Sequence, residues 1–367
     1  MKKILNVLFV VIVLCGGFIG ITYACSSNQI DIGNGNCENA KFTITTTNLP
    51  ANTDFKFKMY AAGVFYIDWG DGNVQTIDRT NNTTGTQYTH TFTAADTYTI
   101  KFGGLATGYP SGDSEAITFG NYRGAQTPEL IASISGSLGA IFPSLSSYSS
   151  NIYQPKFIGT FHSATHITSL PANLFEGVSS ESNWRFFYTF FGCTGLTSIP
   201  SGLFSGTTGH SAGSFYGVFE YCTGLTSLPP GLFSGISGAA VYMFNFAFYG
   251  CSGLSGYIPS DLFSGLILNG SPTVQSMWDS VFDETNLATT CPTGYHQYIT
   301  GYEDYWDGHV SCEPNTINIT WEDATPESVA ANNAGSCTYG GTINTPAVAP
   351  TKRGYIFTGW SIDTSGN

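Results

Sequence analysis

The chain has 367 residues and a formal charge of −13, with 10% charged, 42% hydrophobic and 15% aromatic residues. At about 150 residues per domain the length argues for two or three domains, and 12 Lys and Arg against 25 Asp and Glu cannot neutralise a row of phosphates, which excludes nucleic acid as a partner. The aromatic content excludes a disordered chain, and 44 glycines beside so few charges imply a surface of Ser, Thr, Asn, Gly and Tyr, suited to exported β and repeat structure.

Residues 1–24 read as a secretory signal. Lys2 and Lys3 give a basic start, Ile4 to Ile21 is almost wholly apolar, and Thr22-Tyr23-Ala24 places small residues before a cut at Cys25. Removal of both lysines takes the charge from −13 to −15. Asn6, Gly16, Gly17 and Gly20 interrupt the apolar run and favour cleavage over retention as an anchor. A lipid anchor on Cys25 is the alternative, opposed by bulky Tyr23 and by Thr22 where a lipobox has Leu. No later stretch is long enough to span a bilayer, so the expected location is extracellular or cell-surface. In an oxidising compartment cysteines pair, and Cys25 with Cys37 and Cys291 with Cys312 bracket short loops as candidate bridges, leaving Cys337 odd. Without a CxxC pair no structural zinc is expected, and no cofactor is implied.

After a short segment at 25–40, residues 41–105 alternate in runs such as Phe42-Thr43-Ile44, Phe55-Lys56-Phe57 and Tyr98 to Phe102 between turn residues, which predicts a small β-sandwich. Phe65 to Gly72 ends a strand in an Asp-Gly turn, where Gly72 takes the positive φ a tight hairpin needs. The WGDG turn at 69–72, Tyr88-Thr89-His90-Thr91-Phe92 and Asp96 to Ile100 together resemble a polycystic-kidney-disease (PKD) domain, with Ala95-Asp96 where that family has Gly. Asp68, Asp71 and His90 could be taken for a metal or acid-base cluster. Their spacing matches no ligand set, and the turn itself needs Asp for side-chain to backbone bonds.

Residues 106–156 read as a connector, with Leu130 to Gly139 as a degenerate cap to a repeat over 157–290. Ile167 to Pro171, Leu196 to Pro200, Leu225 to Pro229 and Leu254 to Pro259 start 29 residues apart, each followed by Leu-Phe and a Gly. Ahead of each Leu lie Phe157 and Phe161, Phe186 and Phe190, Phe215 and Phe219, Phe244 and Phe248, then Met277 and Val281. With Cys193, Cys222 and Cys251 three residues on, the spacing i, i+4, i+7 predicts one face of a helix. Gly195, Gly224 and Gly253 before each Leu suit a left-handed residue ending that helix. The unit is therefore expected as helix, turn, short strand and Leu-Phe turn, stacked so that Leu, Phe and Cys form ladders. Ala164 and polar Glu284 would close the cysteine column at its ends. Those cysteines are either a redox or metal column or small buried side chains; frequent burial of free Cys favours the second.

Phe190 to Pro200 and Phe219 to Pro229 resemble the F-x-x-C-x-x-L-T-S-I-P string of BspA-like leucine-rich repeats, which implies bacterial surface display and attachment to host or neighbouring cells. Residues 291–314, with Tyr295, Tyr298, Tyr302, Tyr305 and Trp306 between Cys291 and Cys312, read as a disulfide-closed aromatic segment whose rings either stack on sugars or form its core. In 315–367, Arg353 to Trp360 is similar to the internalin B-repeat family, a β-rich module. The fold class expected is multidomain: a PKD-like β-sandwich, an α/β leucine-rich-repeat solenoid and a small β-rich C-terminal module.

No nucleophile elbow, phosphate loop or metalloprotease motif is present. A non-catalytic adhesion protein binding a protein or glycan follows, through the solenoid strand face at Thr168, Ser169, Thr197, Ser198, Thr226 and Ser227. Across 161–290 there are one Arg, no Lys and seven acidic residues, so charge attraction would contribute little. The alternatives are an accessory component of a glycan-degrading system, which needs a converging carboxylate pair, and a passive spacer.

Overall fold

The computed structural model describes residues 25–145, 153–178, 183–207, 211–236, 240–264, 267–268, 271–272, 278–291, 295–299, 308–314, 316–320 and 334–338. The expected leader at 1–24 lies outside them. Among the described residues no helix is long and apolar enough to cross a membrane. A hairpin of β1 (Gln29–Gly33) and β2 (Asn36–Asn39) opens the fold, closed by a Cys25–Cys37 disulfide. That bridge engages the sulfur an acyl anchor would require, so bridge and lipid at Cys25 exclude one another.

The alternating runs that follow become β3 (Phe42–Thr46), β4 (Thr53–Met59), β5 (Ala62–Asp68), β6 (Val74–Arg79), β7 (Thr86–Phe92), β8 (Thr99–Gly108), β9 (Ile117–Thr118) and β10 (Ile131–Gly136). They form a five-stranded sheet in the order β10-β3-β8-β5-β6 and a three-stranded sheet β7-β4-β9. Every other residue of β3 and β4 is buried, as a strand with one face on a core requires. Phe55 and Phe57 of one sheet meet Trp69 and Phe102 of the other with centroids 5.8 to 6.3 Å apart. At the WGDG turn, Asp68 accepts a hydrogen bond from the Gly70 amide and Asp71 one from the Asn73 amide, both at 3.0 Å. Asp71 also meets His90 Nε2 at 2.7 Å, and the His90 ring stacks on Trp69 at 4.4 Å. Partial burial raises the Asp71 pKa, but the bonds from His90 and Asn73 outweigh it and leave the carboxyl below its ordinary value. The three residues therefore lock the turn onto the sandwich.

The sandwich core continues without a break into the repeats. Phe119 stacks on Phe161 at 5.7 Å, and Phe42 lies 6.2 Å from the same ring. The amides of Ala116 and Phe119 donate to Lys156 and Thr160, and those of Gly139 and Ser144 to Leu174 and Gly177. Residues 131–136 pair with β3, and within 137–144 Ser137 and Ile141 bond Lys41 and Ala106 of the sandwich while Gly139 and Ser144 bond the first coil, so one segment closes the sandwich and seats the stack.

The repeats stack, but they are not α/β units. Among the described residues there is no α-helix, and the one helical element is a 3-10 turn at Pro128–Leu130. Every fourth residue of the expected helix has a left-handed backbone: Trp184, Tyr188 and Gly192 in one coil, Gly213, Gly217 and Tyr221 in the next, then Tyr242, Phe246 and Gly250. An α-helix cannot accommodate such residues, and the segment becomes a run of four-residue turns. Alternate amides close these turns: Phe187, Thr189, Phe191 and Cys193 each donate to the carbonyl three residues back. The amides between them, from Phe186, Tyr188, Phe190 and Gly192, donate to Ser214, Tyr216, Val218 and Glu220 of the following coil. A period of four places the same side chains inward as a period of 3.6 over seven residues, which is why the spacing imitates a helix.

The expected short strands are also reduced. One backbone bond per coil joins the extended segments, from Thr197 to Thr168, Thr226 to Thr197 and Ser255 to Thr226. Parallel pairing appears at β11 (Ser255–Gly256), while β12 (Ile258–Pro259) pairs in parallel with Ser311 and Cys312. Gly195, Gly224 and Gly253 are not left-handed. They are glycine because a Cβ would collide with the carbonyl oxygens of Thr165, Thr194 and Thr223 in the preceding coil.

Inside, rings stack almost parallel in columns. Phe161, Phe190, Phe219, Phe248 and Phe282 follow one another at 5.3 to 5.7 Å. A second column runs through Phe157, Phe186, Phe215, Phe244 and Trp278, and a third through Phe175, Phe204, Phe233 and Phe263. The last coil is thus in register at Trp278 and Phe282 rather than at Val281, the expected Met277 lying outside the described residues, and Thr285 rather than Glu284 ends the cysteine column. Thr285 donates to the Phe282 carbonyl at 2.7 Å and meets His309 Nε2 at 3.1 Å, so the column ends on a polar contact with the buried 309–312 segment that covers the last coil.

Between the Phe263 coil and the last one, β13 (Ile267–Leu268) and β14 (Ser271–Pro272) form a short antiparallel pair, and β15 (Asn286–Leu287), in the last coil, is the partner of β11. Antiparallel β16 (Tyr295–Ile299) and β17 (Ser311–Pro314) follow, with β17 also pairing β12 and Cys312 bonded to Cys291. β18 (Thr316–Thr320) pairs with β19 (Ala334–Thr338). Tyr302, Tyr305, Trp306 and the motif at Arg353 to Trp360 lie outside the described residues, as do the side chains of Tyr295, Tyr298 and Cys337.

Gly217 tests the turn geometry. Its φ is +55°, and a Cβ there would run into the Tyr188 ring and the Glu220 carboxylate. Gly217→Ala should cost about 2–3 kcal/mol, roughly 1 from the left-handed backbone and the rest from displacing the ring. Gly206→Ala, with open space around it, should change stability by under about 0.5 kcal/mol. Urea denaturation of both variants decides this; equal effects would contradict the account.

Candidate functional site

Two surfaces of the stack could hold a ligand. On the first, Thr168, Ser169, Thr197, Ser198, Thr226 and Ser227 are all exposed, and coil by coil they form one strip. Two of the three threonines already donate within the stack, however. Thr197 Oγ1 donates to the Thr168 carbonyl at 3.1 Å and Thr226 Oγ1 to the Thr197 carbonyl at 3.4 Å, and Ser255 continues the series. These hydroxyls reinforce the single backbone bond between coils, so the strip offers mainly the serines.

The second surface is aromatic and lies on the turn side. Left-handed residues there carry outward-directed rings, and ring and glycine alternate from coil to coil. Trp184 is followed by Gly213 and Tyr188 by Gly217, and each ring lies against the glycine after it. This alternation fixes the rings without a Cβ clash. Phe187 stacks on Tyr216 at 5.1 Å and packs edge-on to Trp184 at 5.3 Å; Tyr122, from the sandwich side, approaches Phe187 at 5.7 Å and Tyr188 at 5.5 Å.

Where this face meets the sandwich there is a cleft of about 180 Å³ lined by Asp113, Tyr122, Arg123, Ile158, Trp184 and Phe187. Lys156 Nζ bonds Asp113 Oδ1 at 2.9 Å and the Gly112 carbonyl at 2.6 Å, which fixes the loop carrying Asp113. Arg123 Nη1 donates to the Asp113 carbonyl, and its guanidinium lies 5.2 Å from the Tyr122 centroid. Nearby, His162 stacks on Phe191 at 4.5 Å and bonds Asn121, and burial lowers its pKa to about 4, so it is neutral near pH 7. Further along, Glu220 is 8% exposed with Oε2 lacking a hydrogen-bond partner, and burial raises its pKa to about 7.

Phe187 and Tyr216 fall within the segments expected as helix and Tyr122 and Arg123 within the expected connector at 106–156, so the sequence does not show that they share a face. The signal for it is the alternation of ring and glycine at Trp184, Gly213 and Tyr242 and at Tyr188, Gly217 and Phe246, which no buried helix face requires. The cysteine column carries no exposed chemistry. Cys193, Cys222 and Cys251 are buried and donate to the carbonyls of Phe161, Phe190 and Phe219 at 3.0 to 3.2 Å, and burial raises the Cys222 and Cys251 thiol pKa values. Among the described residues no three His, Cys, Asp or Glu side chains converge as metal ligands. Comparison with protein-family models, with curated proteins and with solved structures finds no match to this chain.

Proposed function

We propose that this is an exported, non-catalytic recognition protein that attaches to a protein or glycan on a host or neighbouring cell, using the aromatic face of its repeat stack. The observation that carries this reading is the cleft at Trp184 and Phe187. Its rings are fixed by glycines and by one another, and fixed aromatic surface binds at low entropic cost. The stack shares its core with the sandwich, which holds the face rigid. The similarity of the WGDG turn to PKD domains, of Phe190 to Pro200 to BspA-like surface strings and of Arg353 to Trp360 to internalin B repeats supports an extracellular setting. Glu115 and Glu220 are the buried carboxyls among the described residues. Burial raises the pKa of each, with no second carboxylate acting on either, which favours recognition over the two-carboxylate chemistry of glycan hydrolysis.

The test is saturable binding of the purified, fluorescently labelled chain to intact cells and to immobilised glycans and matrix proteins. Trp184→Ala and Phe187→Ala should each weaken binding at least about tenfold, the loss of one anchoring ring. The triple variant Ser169→Ala, Ser198→Ala, Ser227→Ala should bind as the unaltered chain does. No saturable binding, or binding indifferent to the two ring variants, overturns the reading.

A further inference from the structure

Resting on that reading, we infer that the cleft holds one neutral pyranose ring of a glycan, its C–H face on Trp184, its edge against Phe187, which stands perpendicular to the indole, and adjacent hydroxyls shared between Asp113 and Arg123. Size makes the first selection. A volume of about 180 Å³ is smaller than the roughly 300–1,000 Å³ of sites for drug-sized molecules, and it suits a single sugar ring at the end of a chain.

The polar pair makes the second selection. Asp113 is 60% exposed at its side chain, and with Oδ1 on Lys156 it presents Oδ2 as an acceptor. Arg123 has five N–H donors, and its Nη1 bond to the Asp113 carbonyl leaves others facing outward. An acceptor-only carboxylate beside a donor-only guanidinium complements hydroxyl groups, each of which donates and accepts. An anionic ligand would face Asp113, and a cationic one Arg123 and Lys156. An apolar ring would desolvate both charged groups without replacing their hydrogen bonds, which is costly. A polyhydroxylated neutral ring with an apolar face avoids all three penalties.

The third selection is geometric. Trp184 is pinned against Gly213 in the following coil and Phe187 against Tyr216, so both rings are in place before a ligand arrives. Tyr122, under the Arg123 guanidinium, holds the polar side of the cleft against the aromatic side.

The experiment is saturation-transfer NMR and calorimetry of the purified chain with methyl pyranosides of glucose, galactose, mannose and their 2-acetamido derivatives, with the matching uronates and a hydroxyl-free cyclohexane analogue as comparisons. At least one neutral pyranoside should bind with a dissociation constant of about 1 mM, the strength that about a dozen heavy atoms support. Saturation should concentrate on the protons of one ring face. Arg123→Ala and Asp113→Ala, at exposed positions that leave the core intact, should each weaken binding at least about fivefold, and Trp184→Ala should abolish it. Binding of no pyranoside, tighter binding of the uronates, or unchanged affinity in all three variants overturns the inference. Cell attachment that depends on Trp184 without pyranoside binding would leave the recognition reading standing and remove this one. Pyranoside binding without any cell attachment would do the reverse.

Discussion

Phe190→Ala should be the most damaging single substitution in the repeat stack, costing about 3–5 kcal/mol, the range for removing a buried phenyl ring. Phe190 is fully buried, 5.7 Å from Phe161 and 5.3 Å from Phe219 with the rings within 4° of parallel. Its loss opens a cavity and also cuts a column in two. Because coils touch only their neighbours, stability is roughly a sum of coil and interface contributions, so the coils after the break should unfold in a separate, earlier transition. Phe187→Ala, on the half-buried rim, should cost less than half as much and keep a single transition. Urea titration read by far-ultraviolet circular dichroism and by native-state hydrogen exchange checks both. Equal losses at the two positions would show that the column is not what joins the coils.

Glu220→Gln should stabilise the protein at alkaline pH and do nothing in acid. Burial raises the folded-state pKa of Glu220 to about 7 from 4.5, so the folded state retains a proton that the unfolded chain gives up at lower pH. Stability associated with that proton is fully present below about pH 4.5, declines as pH rises through about 7 and is then lost. Glutamine has the shape of the protonated form and cannot ionise. The two proteins should therefore unfold together near pH 4 and separate above pH 7 by about 1–3 kcal/mol, since each pK unit corresponds to about 1.4 kcal/mol. Thermal unfolding at half-unit pH steps measures this. A constant offset across the range would mean that the Glu220 carboxyl binds its proton equally well in the folded and unfolded chains, with no shift on folding.

The repeat was legible because like side chains stack on like. Phe, Cys and Leu recur at 29 residues for the same reason that they touch in space, and the alternation of β3 and β4 follows as directly from a half-buried strand. The helix was misread because apolar spacing reports which side chains point inward and not the path of the backbone between them. Gly192, Gly213, Gly217 and Gly250 on the expected helix were the contrary signal, since each glycine inside a helix costs close to 1 kcal/mol. Tyr188, Tyr221 and Phe246 gave no such warning, because large L-residues are rarely left-handed. The last coil slipped by one residue because Met277 and Val281 fit the period as well as Trp278 and Phe282 do. The cleft was illegible for a different reason. Asp113, Tyr122 and Arg123 come from the sandwich side and Ile158, Trp184 and Phe187 from two coils, and contacts between distant parts of the chain, the amide bonds from 116–121, the Lys156–Asp113 pair and the Phe119–Phe161 stack, bring them together. The threonine hydroxyls looked available because a sequence does not show that the carbonyl of the preceding coil lies within their reach.

The backbone bonding between coils also bears on how such a protein changes over generations. The amides of the turn segment point alternately within their own coil and to the next, and ring and glycine alternate from coil to coil, so a pair of consecutive 29-residue units can be added or removed with both patterns kept. Duplication or deletion of such a pair in the gene would lengthen or shorten the stack by about 9.6 Å, twice the spacing of hydrogen-bonded strands, without touching the sandwich or the cleft seated on the first coils. Reach and recognition are in this way inherited separately.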